Sequence, residues 1–325
     1  MDEFELIAEI FAPLAPADAP AFGLLSDTAN WQPGEGQTVI LTKDMLVEGR
    51  HFLAGDDAGL IARKLLRVNL SDLAAAGAEP RGYLLGLGLK GSPDRKWLQA
   101  FSKGLLEDQK HFGLELWGGD TVAAPALVLS LTAIGTAPEG SALSRLGAVA
   151  GDHLYVSGTI GDAALGLLAA QGKAPRDSHF ERRLSLPEPR LQLGRGLRGL
   201  ARAVVDISDG LLADVGHLAA ASGLGAIIER DRVPLSKPAE RLLIENSNTW
   251  QAILAGGDDY ELAFAAPPGA AGKLEALSRA LGLPLTRIGS LREGEGVRVL
   301  DGDGGLVSLE KTGYSHFPSG NDQGV

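Results

Sequence analysis

The sequence predicts an α+β (mixed α/β) chain built in two halves. Three observations predict it. Stretches with apolar residues at helical spacing are mixed with alternating or β-branched stretches from one end to the other. Several of the strand-like stretches read as antiparallel pairs. The length, 325 residues, fits about two domains at the usual ~100–200 residues each and can bury a substantial core.

The elements follow in order. Phe4, Ile7, Phe11 and Leu14 recur at helical spacing and predict an opening helix. Residues 38–41 read as a short strand running into Thr42-Lys43-Asp44. Residues 57–68 read as a helix. Asn69-Leu70-Ser71-Asp72 then leads into an alanine-rich segment, with Ser71 or Asp72 as its N-cap. A strand is predicted at 82–89 and a helix at 95–112, with Pro93 as a first-turn proline. Residues 115–117 read as a short strand ending at Gly118-Gly119-Asp120-Thr121, and 126–135 alternates as a strand should.

A small, turn-rich segment at 146–152 marks a domain boundary, giving domains 1–148 and 149–325. Beyond it come a strand at 153–157, a loop at 158–161 and helices at 162–171 and 187–201. A strand at 203–207 turns at Ser208-Asp209-Gly210 into a helix reaching 221. Strands follow at 226–229 and 260–265, then a helix at 270–281 and short strands to about 309. Residues 320–325 are expected to fray. Asn69-Leu70-Ser71-Asp72 and Asp206-Ile207-Ser208-Asp209 echo each other, as if each were a strand end turning into a small-residue helix.

Composition excludes several classes of function. The formal net charge of −11 argues against a nucleic-acid binder, which needs a basic face. It leaves anionic small molecules open, provided cations screen them. The absence of cysteine removes disulfides, thiolate metal sites and cysteine nucleophiles. The acidic opening is unlike a signal peptide, and no apolar run reaches the ~18–20 residues of a membrane span. The expectation is a cytoplasmic protein without membrane contact.

There is no Walker A sequence, no G-x-S-x-G elbow and no H-E-x-x-H. Two G-x-G-x-x-G matches, at 86–91 and 194–199, fall inside a strand and a helix, where a dinucleotide turn cannot form. Asp301-Gly302-Asp303-Gly304 reads as a hairpin turn. What stands out is a set of aspartates flanked by Gly, Ser or Thr and read as strand-end residues: Asp27, Asp44, Asp72, Asp120, Asp206, Asp209, Asp258 and Asp259. Carboxylates with hydroxyl neighbours are hard oxygen donors suited to Mg²⁺. Any one of them is more often a cap or a turn former. Eight that converge would repel one another unless cations intervene.

Taken together the motifs resemble the thiamine-monophosphate kinase family. Asn69-Leu70-Ser71-Asp72-Leu73-Ala74-Ala75-Ala76-Gly77-Ala78, Gly118-Gly119-Asp120-Thr121, Asp206-Ile207-Ser208-Asp209-Gly210-Leu211, Gly256-Gly257-Asp258-Asp259-Tyr260-Glu261-Leu262 and Gly313-Tyr314-Ser315-His316-Phe317 match its motifs in order along essentially the whole chain. The resemblance implies the PurM-like fold of the aminoimidazole ribonucleotide synthetase and selenophosphate synthetase superfamily. In it, an N-terminal α/β domain pairs strands across a homodimer, and a C-terminal α+β domain completes an ATP site between the two. It implies magnesium ions at Asp27, Thr42, Lys43, Asp44, Asp72, Asp120, Asp206 and Asp209. It implies ATP contacts at Gly119, Asp120, Arg145 and Ser208, and thiamine contacts at His51, Asp258 and Tyr314. No residue is assigned covalent or acid–base chemistry.

Two positions depart from the family's pattern. Ser26 stands where a carboxylate precedes Asp27, and Lys43 stands beside Asp44 where a small residue is usual. The lysine either points away and offers only its backbone oxygen to a metal, or places a fixed cation where a weaker magnesium would sit. Both changes leave the metal count open. The activity implied is ATP-dependent phosphorylation of thiamine monophosphate to the diphosphate. The alternatives are another ATP-dependent enzyme of the superfamily and a non-catalytic binder of nucleotide or thiamine phosphate.

Overall fold

The computed structural model describes residues 3–91, 94–309 and 313–314, and the chain divides into two units after Ala142. Ser92, Pro93, the Ser315-His316-Phe317 part of the last motif and residues 320–325 lie outside the described residues.

The first unit opens with α1 (Glu3–Leu6), which continues through π-type and 3₁₀ turns to Leu14. The irregular turns stop the predicted helix from running straight, yet Ile10, Phe11 and Leu14 are still buried. Then come β1 (Gln37–Val47), α2 (Ala58–Ala75), β2 (Glu79–Lys90), α3 (Arg95–Phe112), β3 (Glu115–Ala124) and β4 (Val128–Pro138). The sheet order is β1-β4-β2-β3; β4 is antiparallel to β1 and β2, and β2 is parallel to β3. A parallel pair needs a long crossover, and α3 is part of it.

Helices α2 and α3 are tied together at two points. Gly59 and Gly104 approach so closely that a Cβ on Gly104 would collide with the Gly59 backbone. Asp108, fully buried, accepts from Arg67 Nε at 2.6 Å and from Arg63 Nε at 3.0 Å. Leu65, Leu66, Leu70, Leu73, Leu98, Phe101 and Leu105 form the apolar interior of this layer. Elsewhere Val39, Leu41, Met45, Leu84 and Val122 of the sheet remain exposed.

Several expectations change here. Residues 58–75 are one helix, capped by Asp57, whose carboxylate accepts from the Leu60 amide. Asn69, Ser71 and Asp72 therefore lie inside a helix, and neither Ser71 nor Asp72 is an N-cap. Asn69 fits there because its side-chain amide donates to the Leu65 carbonyl one turn back, at 2.9 Å. The echo with 206–209 does not extend to structure. The first strand runs on to Val47, so Asp44 is a mid-strand residue. Gly118-Gly119-Asp120-Thr121 lies inside β3 rather than at its end. Asp94 is the N-cap of α3, its carboxylate accepting from the Lys96 amide at 2.9 Å.

The second unit contains β5 (His153–Ser157), α4 (Asp162–Ala170), α5 (Ser178–Ser185), α6 (Leu191–Leu197), β6 (Ala203–Asp206), α7 (Leu211–Ala221) and β7 (Gly225–Glu229). It continues with α8 (Lys237–Glu245), α9 (Thr249–Ala255), β8 (Leu262–Ala266), α10 (Ala271–Leu281), β9 (Leu285–Arg292) and β10 (Val297–Leu300). The six strands run in the order β10-β7-β9-β5-β8-β6, antiparallel except for β10 with β7. The core gathers Val156, Ile160, Val205, Ile207, Val215, Ile228 and Ile288 around the buried residues of α7 and α9. The helix predicted at 187–201 shrinks to α6, because Pro187 and Pro189 bias the residues before them away from helix. The sequence pattern predicts no helix at α5, α8 or α9. Residues 301–305 form the expected turn, with the Asp301 carboxylate accepting from the amides of Asp303 and Gly305.

Candidate active site

In the first unit, Thr42, Asp44, Asn69 and Asp72 come together where β1 runs beside α2. Strand alternation puts Thr42 and Asp44 on one face. On α2, Asn69 and Asp72 are three residues apart and share a helix face. The Thr42 hydroxyl donates to the Asp72 carboxylate, and the Asn69 side-chain oxygen accepts from the Asp44 amide at 3.0 Å. The Asp44 carboxyl is pushed up to about 7 by burial first, and then by the charge and the hydrogen bond of Asp72. Two carboxylates pressed together beside a hydroxyl and an amide oxygen form a hard donor set. It is unfavourable without a counter-charge and fits an oxygen-seeking dication.

Lys43 takes the other face of β1. Its ammonium donates to the Ser130 hydroxyl of β4. It lines a cleft of about 1000 Å³ with Asp27, Gly119, Asp120 and Thr121, and among the described residues it is the sole cation lining that cleft. An ammonium cannot ligate a metal, which leaves only the Lys43 carbonyl for that role. Asp27 and Asp120 are exposed, and the Asp120 carboxylate accepts from the Thr121 amide at 2.8 Å. Asp120 is on the far edge strand from Asp44, three strand spacings away, or about 14 Å along the sheet. Within one chain, then, Asp44 and Asp72 are brought together and Asp120 is not. Gly119 has a steric reason to be glycine, since a Cβ there would collide with the Leu85 carbonyl. His51 follows β1 in a tight turn, where its Nδ1 accepts from the Val47 amide at 3.0 Å.

In the second unit two motifs are zipped together. The Asp258 amide donates to the Ser208 carbonyl at 2.9 Å and the Tyr260 amide to the Ile207 carbonyl at 2.8 Å. A Cβ on Gly257 would collide with the Ser208 carbonyl, so close approach demands glycine there. Asp206 is buried at the end of β6, and Ser208 and Asp209 are half-buried. The Asp209 carbonyl accepts from the Tyr314 amide at 3.0 Å. Ser144, next to the exposed Arg145, accepts from the Val204 amide through its carbonyl, which holds Arg145 beside β6.

Sequence reasoning missed the residues that hold these loops. Buried Asp214 reaches back from α7 and accepts from the amides of Ser208, Asp209 and Gly210 at 3.0, 3.0 and 3.1 Å. Burial, with the Asp209 charge second, pushes the Asp214 carboxyl up to about 6, and the three amides pull the other way. Asp209, Asp214 and His217 also place ligand atoms within 4.8 Å of one another. Asp258 and Tyr260 both adopt positive φ, 70° and 52°, at a cost of about 1–3 kcal/mol each. Asp259, between them, points inward and accepts from the Gly161 amide at 2.7 Å. Burial pushes its carboxyl up to about 8, opposed by Arg183. Buried Glu261 accepts from Ser157, Arg183 and Arg190. The signal available in sequence was the doubling itself. In Asp258-Asp259-Tyr260-Glu261, four polar residues in a row between apolar stretches cannot all face outward.

The aspartates are thus not uniformly strand-end residues. Asp44 and Asp120 are mid-strand, Asp72 is mid-helix, and Asp206, Asp209, Asp258 and Asp259 are in or beside turns.

The N-terminal domain of the AIR synthase related proteins matches residues 25–137 and their C-terminal domain matches 149–302. The thiamine-monophosphate kinase of Caulobacter vibrioides is 43% identical over 300 residues, 91% of this chain and 85% of that protein. That of Salmonella typhimurium is 39% identical over 97% of this chain and 98% of its own length. The crystal structure of thiamine-monophosphate kinase from Stenotrophomonas maltophilia is 41% identical, with a TM-score of 0.83 over 94% of this chain and 98% of that one. A structure described as AaThiL complexed with AMPPCP and TMP is 31% identical, with a TM-score of 0.77 over 90% of this chain and 91% of that one. With motifs, both domains and nearly the full length in agreement, this chain belongs to the thiamine-monophosphate kinase family of the AIR synthase related proteins.

Proposed function

We propose that the chain transfers the γ-phosphoryl group of ATP to the phosphate of thiamine monophosphate, giving ADP and thiamine diphosphate. The observation that carries this reading is the Asp44–Asp72 pair, held by Thr42 and Asn69 in a form that calls for a dication.

An oxygen of the acceptor phosphate attacks the γ-phosphorus, and the bond from that phosphorus to the β–γ bridging oxygen breaks. The acceptor is close to a dianion at pH 7, because a phosphomonoester has its second pKa near 6. No strong general base is then needed, which fits a site whose proposed metal ligands are carboxylates and hydroxyls. We expect direct transfer with no phosphoenzyme.

About six negative charges meet when ATP and the acceptor bind. At 4 Å each unit pair repels by about 4 kcal/mol at an effective dielectric of 20. Magnesium, held by Thr42, Asp44 and Asp72 and by Asp27, Asp120, Asp206 and Asp209, would supply the screening charge. Gly119, Asp120, Arg145 and Ser208 are the proposed ATP contacts, with Arg145 a guanidinium suited to phosphate. His51, Asp258 and Tyr314 are the proposed thiamine contacts. His51 accepts at Nδ1, so its ring proton sits on the other nitrogen. The exposed apolar residues Val39, Leu41, Met45, Leu84 and Val122 support pairing of two copies through the first unit's sheet.

Incubation with Mg-ATP and thiamine monophosphate, followed by chromatography, tests the reading. Thiamine diphosphate and ADP in equal amounts are expected. Bound ATP without diphosphate would overturn it in favour of a binder, and ATP consumed with a different acceptor would favour another enzyme of the superfamily.

A further inference from the structure

Arg183 lies on α5, in sequence 76 residues from Asp259, the residue it holds. Its guanidinium makes two contacts on the 256–261 loop. One Nη donates to the Asp259 backbone carbonyl at 2.9 Å and to a Glu261 carboxylate oxygen at 3.0 Å. Glu261 is itself fixed from two further directions, by Ser157 Oγ at 2.6 Å and Arg190 Nε at 2.7 Å. The side chain of Arg183 is 12% exposed and that of Glu261 1%, so this is a desolvated, charge-assisted anchor rather than a surface ion pair.

The carbonyl that Arg183 grips belongs to the peptide joining Asp259 to Tyr260. That peptide lies between the two residues with positive φ, Asp258 and Tyr260. Its orientation sets where the Tyr260 ring goes. The Tyr260 hydroxyl in turn donates to the Asp258 carboxylate at 3.2 Å. The chain of contacts runs from Arg183 through the Asp259 carbonyl and the Tyr260 ring to the carboxylate of Asp258. Asp259 reinforces it from below, since its carboxylate is pinned by the Gly161 amide and cannot swing outward. The loop is unfavourable by its own backbone preferences and needs an outside hold.

We propose that Arg183 is a positioning residue for recognition of the thiamine half of the acceptor, acting on Asp258 through the Asp259 carbonyl and Tyr260. The proposal rests on the reading of Asp258 as an acceptor contact. A carboxylate held in one place suits a cationic heterocycle such as a thiazolium or a protonated aminopyrimidine. Arg183 touches neither substrate.

The test is a double-mutant cycle on the full-length protein, with KM for each substrate, kcat and thermal unfolding recorded. Arg183→Ala should raise KM for thiamine monophosphate about tenfold, the scale of one lost charge-assisted hydrogen bond. KM for ATP and kcat should stay within about twofold. In the Asp258→Ala background the same change should add nothing to KM, because the lever has lost its load. Guanidinium ion at millimolar concentration should restore part of the lost acceptor affinity in Arg183→Ala and none in the double variant. If Arg183→Ala does not fold, Arg183→Lys keeps a charge against Glu261 and should show a smaller rise in the same KM alone. Additive effects, equal rises in both KM values, or a fall in kcat alone would overturn the proposal. An Asp258→Ala variant with unchanged KM would instead remove the underlying reading of Asp258.

Discussion

The Thr42 hydroxyl donates to the Asp72 carboxylate across 30 residues of sequence, joining strand β1 to helix α2 at the point where Asp44 also arrives. This bond orients Asp72 so that its charge bears on Asp44. Replacing one carboxylate should therefore have opposite effects with and without metal. Asp72→Asn should raise the melting temperature in the presence of a chelator, by relief of like-charge repulsion. It should also abolish the rise that magnesium gives the native protein, since ligand binding to the folded state stabilises by mass action. Differential scanning fluorimetry with and without magnesium reads both. A native protein whose melting temperature ignores magnesium would contradict the assignment.

Asp259 gives a pH prediction. Its folded-state carboxyl lies at about 8, against an unfolded value of 3.8, with burial the main cause. For an acid whose folded value is raised, the stability contribution is full below the unfolded value and is lost as pH rises through the folded one. Between about pH 4 and pH 8 the native protein should lose stability from this group, by at most about 1.4 kcal/mol per pH unit. Asp259→Asn keeps an acceptor for the Gly161 amide and cannot ionise. Its melting temperature relative to the native protein should climb steadily from pH 5 to pH 8; a constant difference across that range would refute the shift.

Gly119→Ala tests why that position is glycine. The added methyl meets the Leu85 carbonyl in the β2–β3 pair, a backbone atom that cannot step aside without breaking the ladder. We expect a loss of about 2–4 kcal/mol in unfolding free energy and weaker ATP binding, measured by denaturant titration and nucleotide calorimetry. Unchanged values in both would show that β3 is free to shift.

The α2–α3 anchor is independent of the site. Arg67→Met leaves Asp108 paired with Arg63, in a place where the carboxylate is fully buried. Removing one partner of a buried pair typically costs about 3–5 kcal/mol. We expect a loss toward the lower end, because Arg63 stays, with the affinity for ATP unchanged in the protein that remains folded.

The order of the motifs and most helices and strands were legible in the sequence because they rest on local patterns: periodicity, caps and glycine turns. Where reading by local pattern failed, a long-range contact decided the outcome. Asn69-Leu70-Ser71-Asp72 looks like a cap because short polar residues favour helix starts, yet Asn69 satisfies itself on the Leu65 carbonyl and lends its oxygen to β1. Gly118-Gly119 looks like a turn, but within β3 Gly119 serves close approach to the Leu85 carbonyl and Gly118 holds a φ of 147°. The resemblance groups Asp44, Asp72 and Asp120 as magnesium positions, but local pattern gives no sign that Asp120 stands on the opposite edge strand from Asp44, since sheet order is set by pairings far apart in the chain. The partners of Glu261, Ser157 on β5, Arg183 on α5 and Arg190 at the start of α6, are 104, 78 and 71 residues away, beyond the reach of any spacing rule.

Rapid-quench single turnover with ATP labelled in the γ-phosphate tests the central claim most directly, that phosphate passes straight between two bound polyanions on this chain. The label should leave ATP and enter thiamine diphosphate with one rate constant, with no labelled protein at any time. Labelled protein appearing ahead of the product, or label released as free phosphate while thiamine monophosphate stays unchanged, would contradict it.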